Sequence, residues 1–170
     1  MGSFSNNVGP SGPLFSNNVG QVRPGETAVT LGTGGVSLAA LQFARGAGAR
    51  PIAVTRREAH APHLRSLGVL DAIIDISGTW TNRVLDSTQG IGADVVVDVV
   101  GADSVGRSIA ATRYGGIVHL VGYVAGEDAR FDIFEAIRHA VTIRIAAASS
   151  RRDFEALDKL LQAVGLKKAA

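Results

Sequence analysis

One glycine-rich run, GTGGVS at residues 32–37, has a spacing that could bind phosphate. Glycine lets the backbone turn sharply and approach a ligand closely, and free amides at the start of a helix attract negative charge. The run matches the pattern G-x-G-x-x-G except at its third position, where the small residue Ser37 stands. The pattern therefore favours a site for the diphosphate of a dinucleotide, with a ligand-free turn as the alternative. The residues assigned to this site are Gly32, Thr33, Gly34, Gly35 and Val36.

A second group of polar residues follows about 20 residues later, where Thr55, Arg56 and Arg57 come directly after an apolar segment. A site for NAD has Asp or Glu here, which binds both ribose hydroxyls. A hydroxyl beside two guanidinium groups instead suits the 2′-phosphate of NADP, because arginine makes paired, charge-assisted hydrogen bonds to phosphate. The sequence therefore predicts NADP rather than NAD. Two alternatives stay open: Glu58 could supply the acid, or the arginines could be solvated only.

No other set of residues has the spacing of a catalytic or metal site. The chain has no cysteine, which excludes disulfides, thiol catalysis and cysteine metal sites. His60 and His63 are three residues apart, but two surface histidines are the favoured interpretation. Neither Tyr114 nor Tyr123 is followed four residues later by the lysine of a short-chain dehydrogenase. We therefore predict no catalytic residue and no metal ligand in this chain.

Two other nucleotide-dependent classes use a similar loop. A P-loop NTPase is disfavoured because Ser37 is followed by Leu38, so the phosphate-binding lysine is missing. A methyltransferase is an alternative, although such a site usually has an acidic residue where Thr55 stands.

An alternation of short apolar runs and helix-forming segments must position these residues. Strands are predicted at residues 26–31, 51–55, 72–76, 93–101, 116–123 and 141–148, and helices at 36–48, 58–68, 79–90, 103–112, 132–140 and 150–165. Continuous apolar strands separated by helices indicate a parallel sheet covered on both faces. With right-handed crossovers, the prediction is a doubly wound, Rossmann-type α/β fold of six strands. Its ligand lies at the carboxyl ends of the strands, beside the first strand.

Three polar residues lie in or beside the predicted strands. Asp98 is expected at the carboxyl end of the strand at 93–101, where it could touch a cofactor. Asp94, at the opposite end, is expected to meet only solvent. His119 lies inside the strand at 116–123 and is expected in the core or at its rim, rather than as a proton donor.

Composition limits the class of protein. The 170 residues are 46% hydrophobic and 19% charged, which is typical of one globular domain. The net charge of +2 gives no argument for nucleic acid, and no apolar run reaches the roughly 18–20 residues of a membrane span. Without a signal peptide or cysteine, a cytoplasmic protein is expected. The motif FSNNVG occurs at residues 4–9 and 15–20, so we expect residues 1–21 to be a flexible leader and 22–170 the domain.

Three segments resemble the cofactor-binding domain of medium-chain dehydrogenases/reductases, most closely zinc-type alcohol dehydrogenases and quinone oxidoreductases. They are VRPGETAVTLGTGGVSLAALQFARGAGAR, GADVVVDVVG and GGIVHLVGY, and the resemblance covers roughly residues 22–165. It implies NAD(P)-dependent hydride transfer between nicotinamide and an alcohol or carbonyl. It places Gly32, Gly34 and Gly35 at the pyrophosphate and Thr55 and Arg56 at the adenosine ribose. The same resemblance puts Val100, Gly101, Val121, Gly122 and Tyr123 along the path to the nicotinamide.

The resemblance also implies parts that this chain lacks. Members of that family carry a catalytic domain formed mostly by the region before the cofactor domain, and their zinc ligands and substrate specificity come from it. We therefore expect zinc only in that absent domain. The chain is then either the NAD(P)-binding domain of such an oxidoreductase or a binding-only nucleotide module without turnover. Relatives often pair through the edge strand, here residues 141–146, so a homodimer is expected.

Overall fold

The computed structural model describes residues 22–126, 128–145 and Glu155. The leader expected at residues 1–21, and the helix predicted at 150–165 apart from Glu155, lie outside the described residues. The strands are β1 Thr27–Leu31, β2 Arg50–Thr55, β3 Asp71–Ile74, β4 Ala93–Asp98, β5 Thr112–Leu120 and β6 Thr142–Ile145.

These six strands form one parallel sheet in the order β3-β2-β1-β4-β5-β6. β1 therefore lies between β2 and β4, and the direction of winding reverses beside it. In sheets of this kind, ligands bind at the carboxyl ends of the strands at that reversal. The predicted doubly wound fold is confirmed.

Five α-helices connect the strands. They are α1 Gly35–Gly46, α2 Ala61–Ser66, α3 Trp80–Ser87, α4 Val105–Ala110 and α5 Ile133–His139. Short 3₁₀ helices at Glu58–His60 and Ala102–Ser104 precede α2 and α4. Pro62 lies in the first turn of α2, where its missing N–H has no intrahelical partner to lose. Across residues 22–126 and 128–145, no helix has both the length and the apolar character needed to cross a bilayer.

The helices cover both faces of the sheet. Within β4, Val96 belongs to a cluster on one face, and its neighbours Val95 and Val97 belong to a cluster on the other. The first cluster brings in side chains of α3, α4 and α5, namely Trp80, Val84, Val105, Ile109 and Ala136. On the opposite face lie Ala40, Leu41 and Phe43 of α1 and Leu64 of α2. This burial on both sides explains why the strands are continuously apolar.

β5 differs from its predicted bounds of 116–123. It begins at Thr112, and its register with β4 shifts between Ala93 and Val95. At this irregularity Arg113 forms an ion pair with Asp94, whose carboxylate also accepts the Thr27 N–H at 2.7 Å. The expectation that Asp94 meets only solvent is therefore wrong. His119 is fully buried in β5, as expected.

Candidate functional site

The glycine loop connects the carboxyl end of β1 to α1. Gly32 has φ +81°, in the left-handed region that favours glycine, so it can turn the chain out of the strand. Its N–H donates to the Val54 carbonyl of β2 at 2.7 Å. The loop therefore lies at the winding reversal, against the end of the neighbouring strand.

Open space lies beside the start of α1. A Cβ atom added at Gly34 or Gly35 would meet nothing within 4 Å. No side chain caps the helix at Gly34, and the first amides of any α-helix have no intrahelical carbonyl partner. Amides of this kind suit an anion, and the positive end of the helix dipole adds to the attraction. The residues present fit a diphosphate.

Ser37 explains the departure from the third glycine of the pattern. The residue is fully buried, and its hydroxyl donates to the Leu31 carbonyl at 2.7 Å. The hydrogen bond satisfies a polar group that would otherwise be costly to bury, and it ties α1 to the end of β1. A serine therefore keeps helix and strand close.

Two cationic side chains lie beyond the end of β2. Thr55 is buried, with a relative exposure of 5%, and its hydroxyl accepts the Arg57 N–H at 3.2 Å. Arg56 and Arg57 are exposed, and neither guanidinium has an ion pair with any residue that the structure describes. Glu58 is also exposed, at the start of the following 3₁₀ helix. The positive charge at this strand end is therefore available to a ligand.

His60 connects the glycine loop to the end of β2, a role that the sequence analysis missed. Its Nδ1 lies 2.7 Å from the Thr33 hydroxyl and 3.3 Å from the Thr55 hydroxyl. The ring is partly buried, and its hydrogen bonds to two hydroxyls are what the interpretation as a surface histidine did not include. The available clue was topological, because Thr33 and Thr55 follow neighbouring parallel strands and the segment with His60 comes next.

Replacing His60 should loosen this connection. We expect His60→Ala to weaken dinucleotide binding about three- to fivefold, because the Thr33 hydroxyl loses its partner and the loop becomes less well ordered. Isothermal titration calorimetry with NADPH measures the change. His63→Ala is the matched control, since His63 is exposed on α2, and it should bind like the wild type. Equal affinities for both variants would show that the connection has no role in binding.

The loops after β4 and β5 pack directly against each other. A Cβ at Gly101 would lie 2.7 Å from the Gly122 carbonyl oxygen, and one at Gly122 would overlap the Val99 carbonyl. The Ala125 N–H also donates to the Val100 carbonyl at 2.9 Å. The structure thus brings together the residues predicted along the nicotinamide path, with Tyr123 exposed beside them. Their contact with a cofactor stays a prediction.

Asp98 does not reach the surface of this site. Its relative exposure is 0%, and its carboxylate accepts the N–H groups of Val100 and Gly101 at 2.9 and 3.0 Å. The expectation that Asp98 touches a cofactor is therefore wrong. Its role is within the loop.

The residues that the structure describes do not fit a zinc ion. In the described ranges, 22–126 and 128–145, no group of three or more His, Asp or Glu side chains could hold a metal. Cysteine is absent from the whole sequence. No chemical step is therefore assigned to a metal in this chain.

Comparison with known proteins identifies the family. A family model described as zinc-binding dehydrogenase matches residues 35–163. A zinc-type alcohol dehydrogenase-like protein of Schizosaccharomyces pombe is 35% identical over 115 residues, which are 67% of this chain and 33% of that protein. An alcohol dehydrogenase of Geobacillus stearothermophilus is 27% identical over 141 residues, which are 82% of this chain and 41% of the relative.

Solved structures agree with these sequence relatives. A putative alcohol dehydrogenase from Sinorhizobium meliloti superposes with a TM-score of 0.82 at 26% identity, covering 87% of this chain and 43% of that one. A quinone oxidoreductase from Pseudomonas syringae gives a TM-score of 0.77 at 27% identity, covering 88% and 49%. The chain thus spans less than half the length of these relatives. Since the family model covers most of the sequence, the chain belongs to the zinc-binding dehydrogenases, as a cofactor-binding domain of the medium-chain dehydrogenase/reductase family.

Proposed function

We propose that this chain binds NADP and serves as the cofactor-binding domain of an oxidoreductase that exchanges a hydride between nicotinamide and an alcohol or carbonyl substrate. The observation that carries the proposal is the open space beside Gly34 and Gly35 at the uncapped start of α1. That space lies where the winding of the sheet reverses, which is the general ligand position in doubly wound folds.

The strand order supports a direction for the proposed cofactor. With the diphosphate at the glycine loop, the adenosine half extends towards the end of β2, and the nicotinamide half extends towards the loops after β4 and β5. When bound, the nicotinamide supplies or accepts the hydride. The residues of this chain bind and orient it. The groups that polarise the substrate oxygen, zinc among them, belong in this proposal to a catalytic domain of the whole protein.

A preference for NADP rests on charge at the end of β2. Arg56 and Arg57 are exposed and have no ion-pair partner in the described part of the chain. The buried Thr55 occupies the position where an NAD site has a carboxylate, which would repel a 2′-phosphate. Guanidinium groups favour the phosphate instead.

Removing one guanidinium should change the selectivity between the two cofactors. We expect Arg56→Ala to weaken NADPH binding about tenfold and leave NADH binding unchanged, since a charge-assisted hydrogen bond to the 2′-phosphate is lost. Calorimetric titrations with both nucleotides measure the ratio. Arg65→Ala, which removes an exposed arginine of α2, is the control and should keep the wild-type ratio. An unchanged ratio in Arg56→Ala would contradict the phosphate assignment.

Turnover by the isolated chain tests the assignment of catalysis to another domain. We expect the chain to bind NADPH and, when given NADP⁺ as hydride acceptor, to show no oxidation of simple alcohols by itself. The proposal places the groups that polarise the substrate oxygen in another domain, and the described residues contain no group of side chains that could hold a metal. Measurable turnover by the isolated chain would contradict the assignment of catalysis to another domain. Failure to bind either nucleotide would contradict the proposed function as a whole.

We also propose that two copies pair through β6. This strand is last in the sheet order, so in the described part of the chain its outer edge has no neighbouring strand. Ile145 at its end is 70% exposed. An open edge and exposed apolar side chains both favour pairing with another strand.

A cytoplasmic location is a further proposal, supported by the absence of cysteine.

A further inference from the structure

A buried carboxylate lies beneath the loop after β4, and the proposed function gives it no role. Asp98 is the last residue of β4 and is fully buried. No ion pair joins it to a cation in residues 22–126 and 128–145. A buried charge without a cation is costly unless hydrogen bonds compensate it. Its donors are the Val100 N–H at 2.9 Å, the Gly101 N–H at 3.0 Å, and the Ser104 and Ser108 hydroxyls at 2.7 Å each.

These four donors enclose a strained turn. Gly101 has φ +76°, and the next residue, Ala102, has φ +32°, a value that non-glycine residues rarely adopt. Such a conformation persists only where its surroundings hold it in place. The carboxylate of Asp98 contacts the chain on both sides of the turn, from Val100 to Ser108. It is therefore the group that fixes the shape of this turn.

The turn at Gly101 and Ala102 also positions the loop after β5. The Val121 N–H donates to the Asp98 carbonyl at 2.8 Å, and the Ala125 N–H donates to the Val100 carbonyl at 2.9 Å. Gly101 and Gly122 meet backbone to backbone. Asp98 therefore influences the conformation of the loops after β4 and β5, which lie on the side of β1 away from β2.

We propose that Asp98 is a positioning residue for the nicotinamide half of the cofactor. The inference rests on the proposed function, because that function gives the two loops their ligand. Asp98 acts through the backbone of Val100 and Gly101 and touches no part of the cofactor itself. In the proposed function the adenosine half lies towards β2, which is on the opposite side of β1 in the sheet order. Disturbing Asp98 should therefore affect the two halves of the cofactor unequally.

The test compares a whole cofactor with its adenosine half. Asp98→Asn keeps the size of the side chain but removes the charge, and it turns an N–H₂ donor towards existing donors. We expect at least about fivefold weaker binding of NADPH, and binding of adenosine 2′,5′-bisphosphate within about twofold of wild type. Asp71→Asn is the matched control, because Asp71 lies at the start of β3 with its carboxylate half exposed in an ion pair with Arg50, and the change should alter neither affinity.

A purely structural role gives a different result. A variant that weakens both ligands equally, or neither, overturns the positioning role of Asp98. Ser108→Ala removes one of the four donors and provides the test if Asp98→Asn does not fold. A loss of NADPH affinity without a loss of adenosine 2′,5′-bisphosphate affinity supports the proposal. An equal loss for both ligands, or no loss for either, overturns it. A wild-type chain that binds neither ligand instead contradicts the proposed function, so the two failures are distinguishable.

Discussion

Gly34→Val should remove dinucleotide binding without unfolding the protein. Gly34 has φ −76° and ψ 174°, an extended conformation that any residue adopts, and a Cβ there would meet nothing within 4 Å. The valine side chain would instead fill the space where the diphosphate approaches the amides of α1. We expect affinity for NADPH to fall at least about 100-fold, since that close approach carries much of the binding energy. Calorimetry measures the binding, and thermal unfolding checks the fold.

Gly46→Ala provides the matched control at the other end of α1. A Cβ at Gly46 also meets nothing within 4 Å, but the site is far from the proposed diphosphate. Alanine should stabilise the helix by about 0.5–1 kcal/mol and leave NADPH affinity unchanged. Wild-type affinity in Gly34→Val would show that the dinucleotide does not bind at this loop.

The architecture was predictable because its determinants are local. Continuous apolar runs such as Val95–Val97 require burial on both faces, and glycines and helix formers separate them. The start of β5 was not predictable in the same way. Its extension to Thr112 depends on the register shift against β4 and on the pairing of Arg113 with Asp94, a contact between residues 19 positions apart.

The candidate site also has a part that local sequence predicts and a part that depends on distant contacts. The glycine loop is recognisable because its conformation is a requirement on consecutive residues. The role of His60 was missed because its partner Thr33 lies 27 residues away on another element. Asp98 was misjudged because a charged side chain at a strand end is usually exposed, and its burial depends on hydroxyls that α4 and the preceding 3₁₀ helix supply. Polar residues satisfied by distant partners leave no local pattern.

The glycines of the site are needed for two different physical reasons. At Gly34 and Gly35 the missing side chain leaves open space, which we propose that a ligand fills, whereas at Gly122 it leaves space for another part of the backbone. An added side chain should therefore affect ligand binding at Gly34 or Gly35 and stability at Gly122. A motif search cannot separate these roles, but the space around a Cβ added at each glycine does.

Gly122→Ala should destabilise the protein by about 3 kcal/mol, which is the scale of severe overpacking against a rigid neighbour. The added methyl would overlap the Val99 carbonyl, and backbone can yield only by moving the loops after β4 and β5 apart. Urea unfolding followed by circular dichroism measures the loss. Gly35→Ala is the matched control, because its methyl would enter open space, and it should be at least as stable as the wild type. If Gly122→Ala also unfolds like the wild type, the two loops do not pack in this way. The proposed influence of Asp98 on the nicotinamide half of the cofactor would then have no structural basis.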